Sequence, residues 1–161
     1  MRSEKTSNDF ATSSDVLCEV VEMYEAMGQQ FDYGCCIYPT APFISADKLK
    51  IAINTIIENK SDSLIPVVAF SFPPLRGVVV ENGRIRMKWP EYTNTRSQDL
   101  EKMYHDCGQF YVFNIEKFKV NRSFWSGDVS YIEIPEMEVQ DIDTEEDWKI
   151  AELKYKLLNS K

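Results

Sequence analysis

Asp141 and Asp143 stand two residues apart in the stretch Glu138-Val139-Gln140-Asp141-Ile142-Asp143-Thr144, just ahead of an apolar helical series. On an extended chain that spacing sends both carboxylates from one face while Ile142 turns to the other. Eight acidic residues and no basic one lie between Glu133 and Asp147. Like charges gathered so closely call for a counter-cation. Magnesium fits, because it takes hard oxygen ligands, often one or two carboxylates completed by phosphate oxygens and water. The plainer alternative is an acidic helix start, solvated and favoured by the helix dipole.

The elements that must hold these carboxylates are legible on both sides. Thr144 reads as a helix N-cap with Asp147 three residues on, a capping-box pattern, followed by Trp148, Ala151, Tyr155 and Leu158 at helical spacing. Upstream, Ser13 or Ser14 reads as the cap of a helix with Val16, Leu17, Val20, Val21, Tyr24 and Met27 on one side and Gly28 at its end. Tyr33 to Tyr38 reads as a buried strand closed by Pro39 and Pro42. Ser45 caps a second helix with Leu49, Ala52, Ile53, Ile56 and Ile57 in a stripe, and Leu64 to Phe72 returns as an apolar strand. This alternation predicts a parallel α/β sheet.

The pattern then changes. Val78–Glu81 and Arg84–Met87 flank Asn82-Gly83, the dipeptide of a type I′ hairpin. Arg84, Arg86 and Lys88 alternate with Ile85, Met87 and Trp89, so the arm has a basic face and an apolar one. The apolar face is available either to a partner subunit or to the arm's own domain. Gln109 to Phe113 reads as an aromatic strand, Asn114 as the cap of a short helix, and Ser130 to Ile134 as an edge strand.

Composition narrows the class. The chain has 161 residues, 43% of them hydrophobic, enough for one domain with a core. A net charge of −8 opposes general nucleic-acid binding. The N-terminus has no apolar leader core, and no run reaches the length of a membrane span, so the reading is a soluble cytoplasmic protein. Cys18, Cys35, Cys36 and Cys107 have neither zinc spacing nor disulfide-scaffold density, and one histidine, His105, excludes a His-based zinc site.

Three segments taken in order, Cys36 to Phe43, then Asn94 to Leu100 with Tyr104 to Tyr111, then Gln140 to Asp147, resemble the acylneuraminate cytidylyltransferases, or CMP-sialic acid synthetases. Tyr38 stands where that family usually has glutamine, and His105-Asp106 where it usually has Arg-Pro, departures that resemble the pseudaminic acid branch. The resemblance implies transfer of CMP from CTP to the anomeric hydroxyl of a nine-carbon 2-keto sugar acid, with pyrophosphate released. It implies a homodimer held by an exchanged arm, and magnesium at Asp141 and Asp143, which match the family's metal-binding aspartates. Arg76 matches a lysine near substrate. Arg96 matches a basic residue that reaches the sugar acid across the dimer, Ser13 a serine near the sugar and Arg2 an arginine near the nucleotide. Tyr38 would line the sugar pocket, and His105 is a further substrate-binding position.

Each position also has an ordinary reading: Arg76 and Arg96 as surface ion-pair formers, Tyr38 as a core residue with its hydroxyl out, His105 as a loop histidine. Complete family members begin with a strand and a loop resembling Arg-Gly-Gly-Ser-Lys, and this sequence contains no such run. The expectation is an α/β fold: a Rossmann-like nucleotidyltransferase sheet lacking its first strand, with an antiparallel dimerisation arm. Residues 1–161 then form the C-terminal part of one domain, with a hairpin insertion at about 73–104. An unpaired edge and uncovered helix faces follow, and the chain by itself is expected to lack cytidylyltransferase activity. Two other readings stay open: a non-catalytic subunit that binds a partner through its arm, and a related sugar-acid nucleotidyltransferase such as one using ketodeoxyoctonate.

Overall fold

In the computed structural model, which describes residues 3–8 and 10–160, strands β1 (Tyr33–Ile37), β2 (Ser63–Ala69), β5 (Tyr104–Asp106), β6 (Phe110–Asn114) and β7 (Val129–Glu133) form the main sheet. Strands β3 (Val78–Glu81) and β4 (Arg84–Met87) form a separate hairpin. Helices α1 (Ser13–Ala26), α2 (Ala46–Asn59), α3 (Ile115–Asn121) and α4 (Glu145–Asn159) complete the fold. The hairpin turn is as expected, Asn82 and Gly83 both having positive φ.

The sheet departs from the expected parallel order. β1 and β2 point the same way, but β6 lies between them and is antiparallel to both. β2 then pairs antiparallel with β5 and parallel with the edge strand β7. β1 and β2, linked by α2, do run in one direction, as the alternation of elements implied, whereas β6 and β7, on either side of α3, run in opposite directions. β1 and β2 are not adjacent, however, and a strand buried on both faces, as β6 is, carries no periodicity to announce that it sits in the middle.

Alternation along the strands explains that burial. Phe110 and Val112 of β6 and Leu64 of β2 pack with Ala52 and Ile56 of α2. Tyr111 and Phe113, with Ile65, turn to the other face and pack with Cys18 of α1, Phe118 of α3 and Phe124. Phe113 fills the space beside Gly34, where an added Cβ would collide with its ring. Pro66 falls where the neighbour of β2 changes from β6 to β5, a place that does not require every ladder donor.

Caps agree with the sequence at Ser45, Asn114 and Thr144. At α1 the cap is Thr12 rather than Ser13 or Ser14, because Asp15, three residues on, closes a capping box with it. No helix among the described residues is long and apolar enough to cross a membrane.

Candidate functional site

β1 and β2 both end at one edge of the sheet, and the turn between β5 and β6 reaches the same edge. In mixed α/β sheets such strand ends are where ligands bind. A cleft of about 270 Å³ opens there, lined in part by Val68, Ser71, His105, Asp106, Glu136 and Asp141. Three stretches far apart in sequence therefore meet: the end of β2, the β5–β6 turn and the acidic loop after β7.

Within the cleft most polar groups have partners. Asp106 accepts a 2.6 Å hydrogen bond from the Tyr111 hydroxyl and a 2.9 Å bond from the Gly108 N–H. Tyr111 makes an edge contact with Tyr38 at 5.4 Å and stacks on Phe124 at 4.5 Å, so Tyr38 is joined to the cleft wall through this network. Burial, with the bond to Asp106, pushes the Tyr111 phenol far above its ordinary value. His105 is exposed, with Nδ1 2.9 Å from the Asp106 carbonyl and its ring 4.7 Å from that of Phe70. The Asp141 carboxylate lies 3.6 Å from the point where a Cβ on Gly108 would stand. With φ +63 there and a carboxylate beside it, the position favours glycine.

Because its folded-state value is raised, the stability held by Tyr111 is full below the ordinary tyrosine value near pH 10 and falls as pH rises beyond it. In an alkaline absorbance titration, at least one of the eight tyrosines should ionise only as the fold gives way. Tyr111→Phe should abolish that late step.

The acidic loop is held from three sides. Lys48 of α2 pairs with Glu138, Lys154 of α4 donates to the Val139 carbonyl at 2.6 Å, and Gln109 donates to the Glu138 carbonyl at 2.6 Å. These contacts correct the charge argument made from local composition. Glu133 pairs with Lys102, Glu138 pairs with Lys48, Glu136 accepts from Ser71, and Asp147 is taken by the helix cap. Among the described residues, the carboxylates of Asp141, Asp143, Glu145 and Glu146 are left with neither a cation nor a hydrogen-bond donor. Counting charges along the chain could not reveal lysines brought in from distant helices. Lys48, Lys154, Asp106, Gln109 and Tyr111 were all missed as site residues, although the last three lie inside a segment already marked by resemblance.

The expected strand carrying both aspartates is not formed. Residues 139–144 pair with no other strand, so the alternation that aligned Asp141 with Asp143 does not apply. Asp141 lines the cleft, whereas Asp143 lines a second hollow with Ile142, Thr144, Glu145 and Trp148. No group of three or more metal-ligating side chains occurs among the described residues. Magnesium still suits the donors, since hard, unpaired carboxylate oxygens can hold it when phosphates and water supply the remaining ligands.

The Asp147 carboxyl accepts from the Thr144 hydroxyl at 2.7 Å and from the amides of Thr144 and Asp143 at 2.9 and 3.3 Å, which hold its pKa below the ordinary value. With a lowered folded-state value, this contribution is present above the unfolded value near pH 4 and is lost as pH falls through the folded one. Loss of protection of the Asp143 and Thr144 amides, taken relative to the intrinsic exchange rate at each pH, should report it as pH falls below about 4.

The remaining candidates do not converge in one chain. Arg76 donates to the Thr95 carbonyl at 2.9 Å, and Arg96 is held by Asp99 at 2.6 and 3.2 Å, so both are engaged within the arm. Ser71 lines both the cleft and a hollow of about 400 Å³ at the arm's base, which brings the arm's root near the site. Ser13 is exposed on the first turn of α1, and Arg2 lies outside the described residues. Cys107 is buried behind the cleft, its thiol pushed up to about 12 by burial, which keeps it protonated and unreactive.

No family model matches the chain. A pseudaminic acid cytidylyltransferase of Campylobacter jejuni subsp. jejuni serotype O:2 is 35% identical over 159 residues, covering 98% of this chain and 68% of that protein. A Helicobacter pylori protein described as pseudaminic acid cytidylyltransferase and UDP-2,4-diacetamido-2,4,6-trideoxy-beta-L-altropyranose hydrolase is 33% identical over 143 residues, 88% of this chain and 27% of that protein. Among solved structures, a CMP:2-keto-3-deoxy-manno-octonic acid synthetase complexed with CTP superposes with a TM-score of 0.60 at 12% identity, covering 97% of this chain and 72% of that one. That likeness speaks for the mixed α/β fold. Identity of this extent across nearly the whole chain says more: the chain belongs to the pseudaminic acid cytidylyltransferase family.

Proposed function

We propose that the strand-end cleft is part of a site that transfers CMP from CTP to pseudaminic acid. The anomeric hydroxyl oxygen bonds to the α-phosphorus, the bond to the β-phosphate bridging oxygen breaks, pyrophosphate leaves, and the hydroxyl proton passes to a base. The observation that carries this reading is the meeting of Asp106 and Asp141 in one cleft, with Gly108 beside both and Tyr38 joined to the wall through Tyr111.

Elimination points to Asp141 for the central role. Asp106 is taken by Tyr111 and Gly108, and Glu136 by Ser71, so Asp141 is the cleft carboxylate left to hold magnesium or receive the proton. Asp143, in the adjoining stretch, would contribute from outside the cleft. Magnesium, when bound, supplies positive charge beside the α-phosphate and lowers the pKa of the attacking hydroxyl. Tyr38 offers an aromatic face to a sugar with few hydroxyls, and His105 stands exposed at the rim. Arg96 would act across a homodimer, where its hairpin arm carries exposed Val78, Val80 and Ile85 toward a second copy. Ser13, Arg2 and Arg76 are proposed to act nearer substrate than this single chain brings them.

The test is pyrophosphate release from CTP with pseudaminic acid and magnesium. It should be run on the 161-residue chain by itself and on the chain joined to the part of the C. jejuni relative that it does not match. Activity is expected in the second and not in the first. Turnover absent from both would defeat the proposal.

A further inference from the structure

Gln109, in the turn from β5 into β6, is fully buried, yet its amide is only half used. Its Nε2 donates to the Glu138 carbonyl at 2.6 Å, while its Oε1 accepts from no described residue. The orientation is forced, because turning the amide over would set two oxygens against each other. A buried amide oxygen without a donor costs stability, and a methionine of like volume would fill the same space without that penalty. Packing is therefore not what a glutamine contributes at this position; its one donated bond is.

That bond is one of two that end on Glu138. Lys48, in the first turn of α2 and with only 15% of its side chain exposed, pairs with the Glu138 carboxylate and donates to the Phe43 carbonyl at 2.7 Å. Gln109 for its part accepts the Tyr38 amide on its backbone carbonyl at 2.9 Å. Each of the two residues so joins the segment 38–43, which follows β1, to the acidic loop that leads into Asp141. Lys154, on the Val139 carbonyl, ties the loop to α4 instead.

The two joined segments carry opposite halves of the proposed reaction, Tyr38 on the sugar side and Asp141 on the metal side. We infer that Gln109 and Lys48 are positioning residues that meet at Glu138 and set the acidic loop in register with segment 38–43, so that the sugar hydroxyl and the α-phosphate are held at reacting distance. This rests on the CMP-transfer reading of the cleft. A shift of about 1 Å between two such segments is enough to slow a reaction by as much as ~100-fold. Because each substrate keeps its own contacts, the loss falls on kcat rather than on KM.

Gln109→Met sets against each other two quantities that an ordinary core residue would move together. In the 161-residue chain, thermal unfolding should occur within ~2 °C of the parent or above it. Exchange of the Glu138 and Val139 amides, which are bonded to the Pro135 and Glu136 carbonyls in the turn that Gln109 holds, should quicken at least ~tenfold. In the chain joined to the unmatched part of the C. jejuni relative, kcat for pyrophosphate release should fall at least ~tenfold, with each KM changed less than ~threefold. Lys48→Met should give the same division between kcat and KM, and serves if the Gln109 variant fails to fold. Unfolding lowered by more than ~5 °C, unchanged exchange at both amides, or a loss carried by KM alone would each overturn the inference. A joined parent that releases no pyrophosphate would defeat the transfer reading instead, and exchange and unfolding, read without nucleotide, would still decide whether the two side chains hold the loop.

Discussion

Asp141→Asn, made in the chain joined to the unmatched part of its relative, is expected to lower the rate of CMP transfer by about 10²- to 10³-fold. A fixed carboxylate that neutralises a metal facing a transferring phosphate acts mainly in the transition state, and an amide of the same shape keeps the geometry while losing the charge. The fold should be unaffected, because the side chain is exposed and makes no ion pair with another described residue. Asp143→Asn should cost less, since its carboxylate lines a different hollow. Initial rates of pyrophosphate release at several magnesium concentrations check both. Equal losses at the two positions would mean that the loop closes on the nucleotide and brings the carboxylates together.

Phe110→Ala carries the largest expected effect on stability. The ring is fully buried, starts β6 opposite Ile37, and packs against Ala52 and Ile56 of α2. Removing it forfeits transfer free energy and leaves a cavity, together about 3–5 kcal/mol. That is a large share of the whole stability of an ordinary domain. Thermal unfolding should begin about 10 °C lower, or the protein should fail to accumulate folded. Val120→Ala, on a side chain that is 82% exposed, should shift unfolding by less than about 0.5 kcal/mol and serves as the control. Because Gln109 precedes Phe110 and holds the acidic loop through the Glu138 carbonyl, the loss should reach the cleft as well.

How much of this was legible follows from range in the chain. Ser45 with the Ile56 stripe, Asn82-Gly83, Asn114 and the Thr144–Asp147 box are local signals, each involving residues within a turn or two, and each element formed where its signal stood. The cap of α1 was legible too, but three adjacent hydroxyl residues competed and only the spacing from Thr12 to Asp15 distinguishes them. The position of β6 between β1 and β2 was not, because Phe110, Tyr111, Val112 and Phe113 are all buried and carry no face preference in their types. Nor were the lysines of the acidic loop. Lys48 sits 90 residues before Glu138 in the chain, and nothing local joins them.

The motif carrying the aspartates divides in the same way. Its helix start was local and formed as expected. The common face assigned to Asp141 and Asp143 depended on a strand pairing that no neighbour supplies, so the loop took a path set by Lys48, Lys154 and Gln109 instead.

Titration of manganese, a paramagnetic substitute for magnesium, into the isotope-labelled chain in the presence of CTP tests the central claim most directly. Line broadening should centre on the amides of Gly108 and Asp141 and be lost in Asp141→Asn. Broadening centred on Glu145 and Glu146, with Gly108 and Asp141 untouched, would contradict the account.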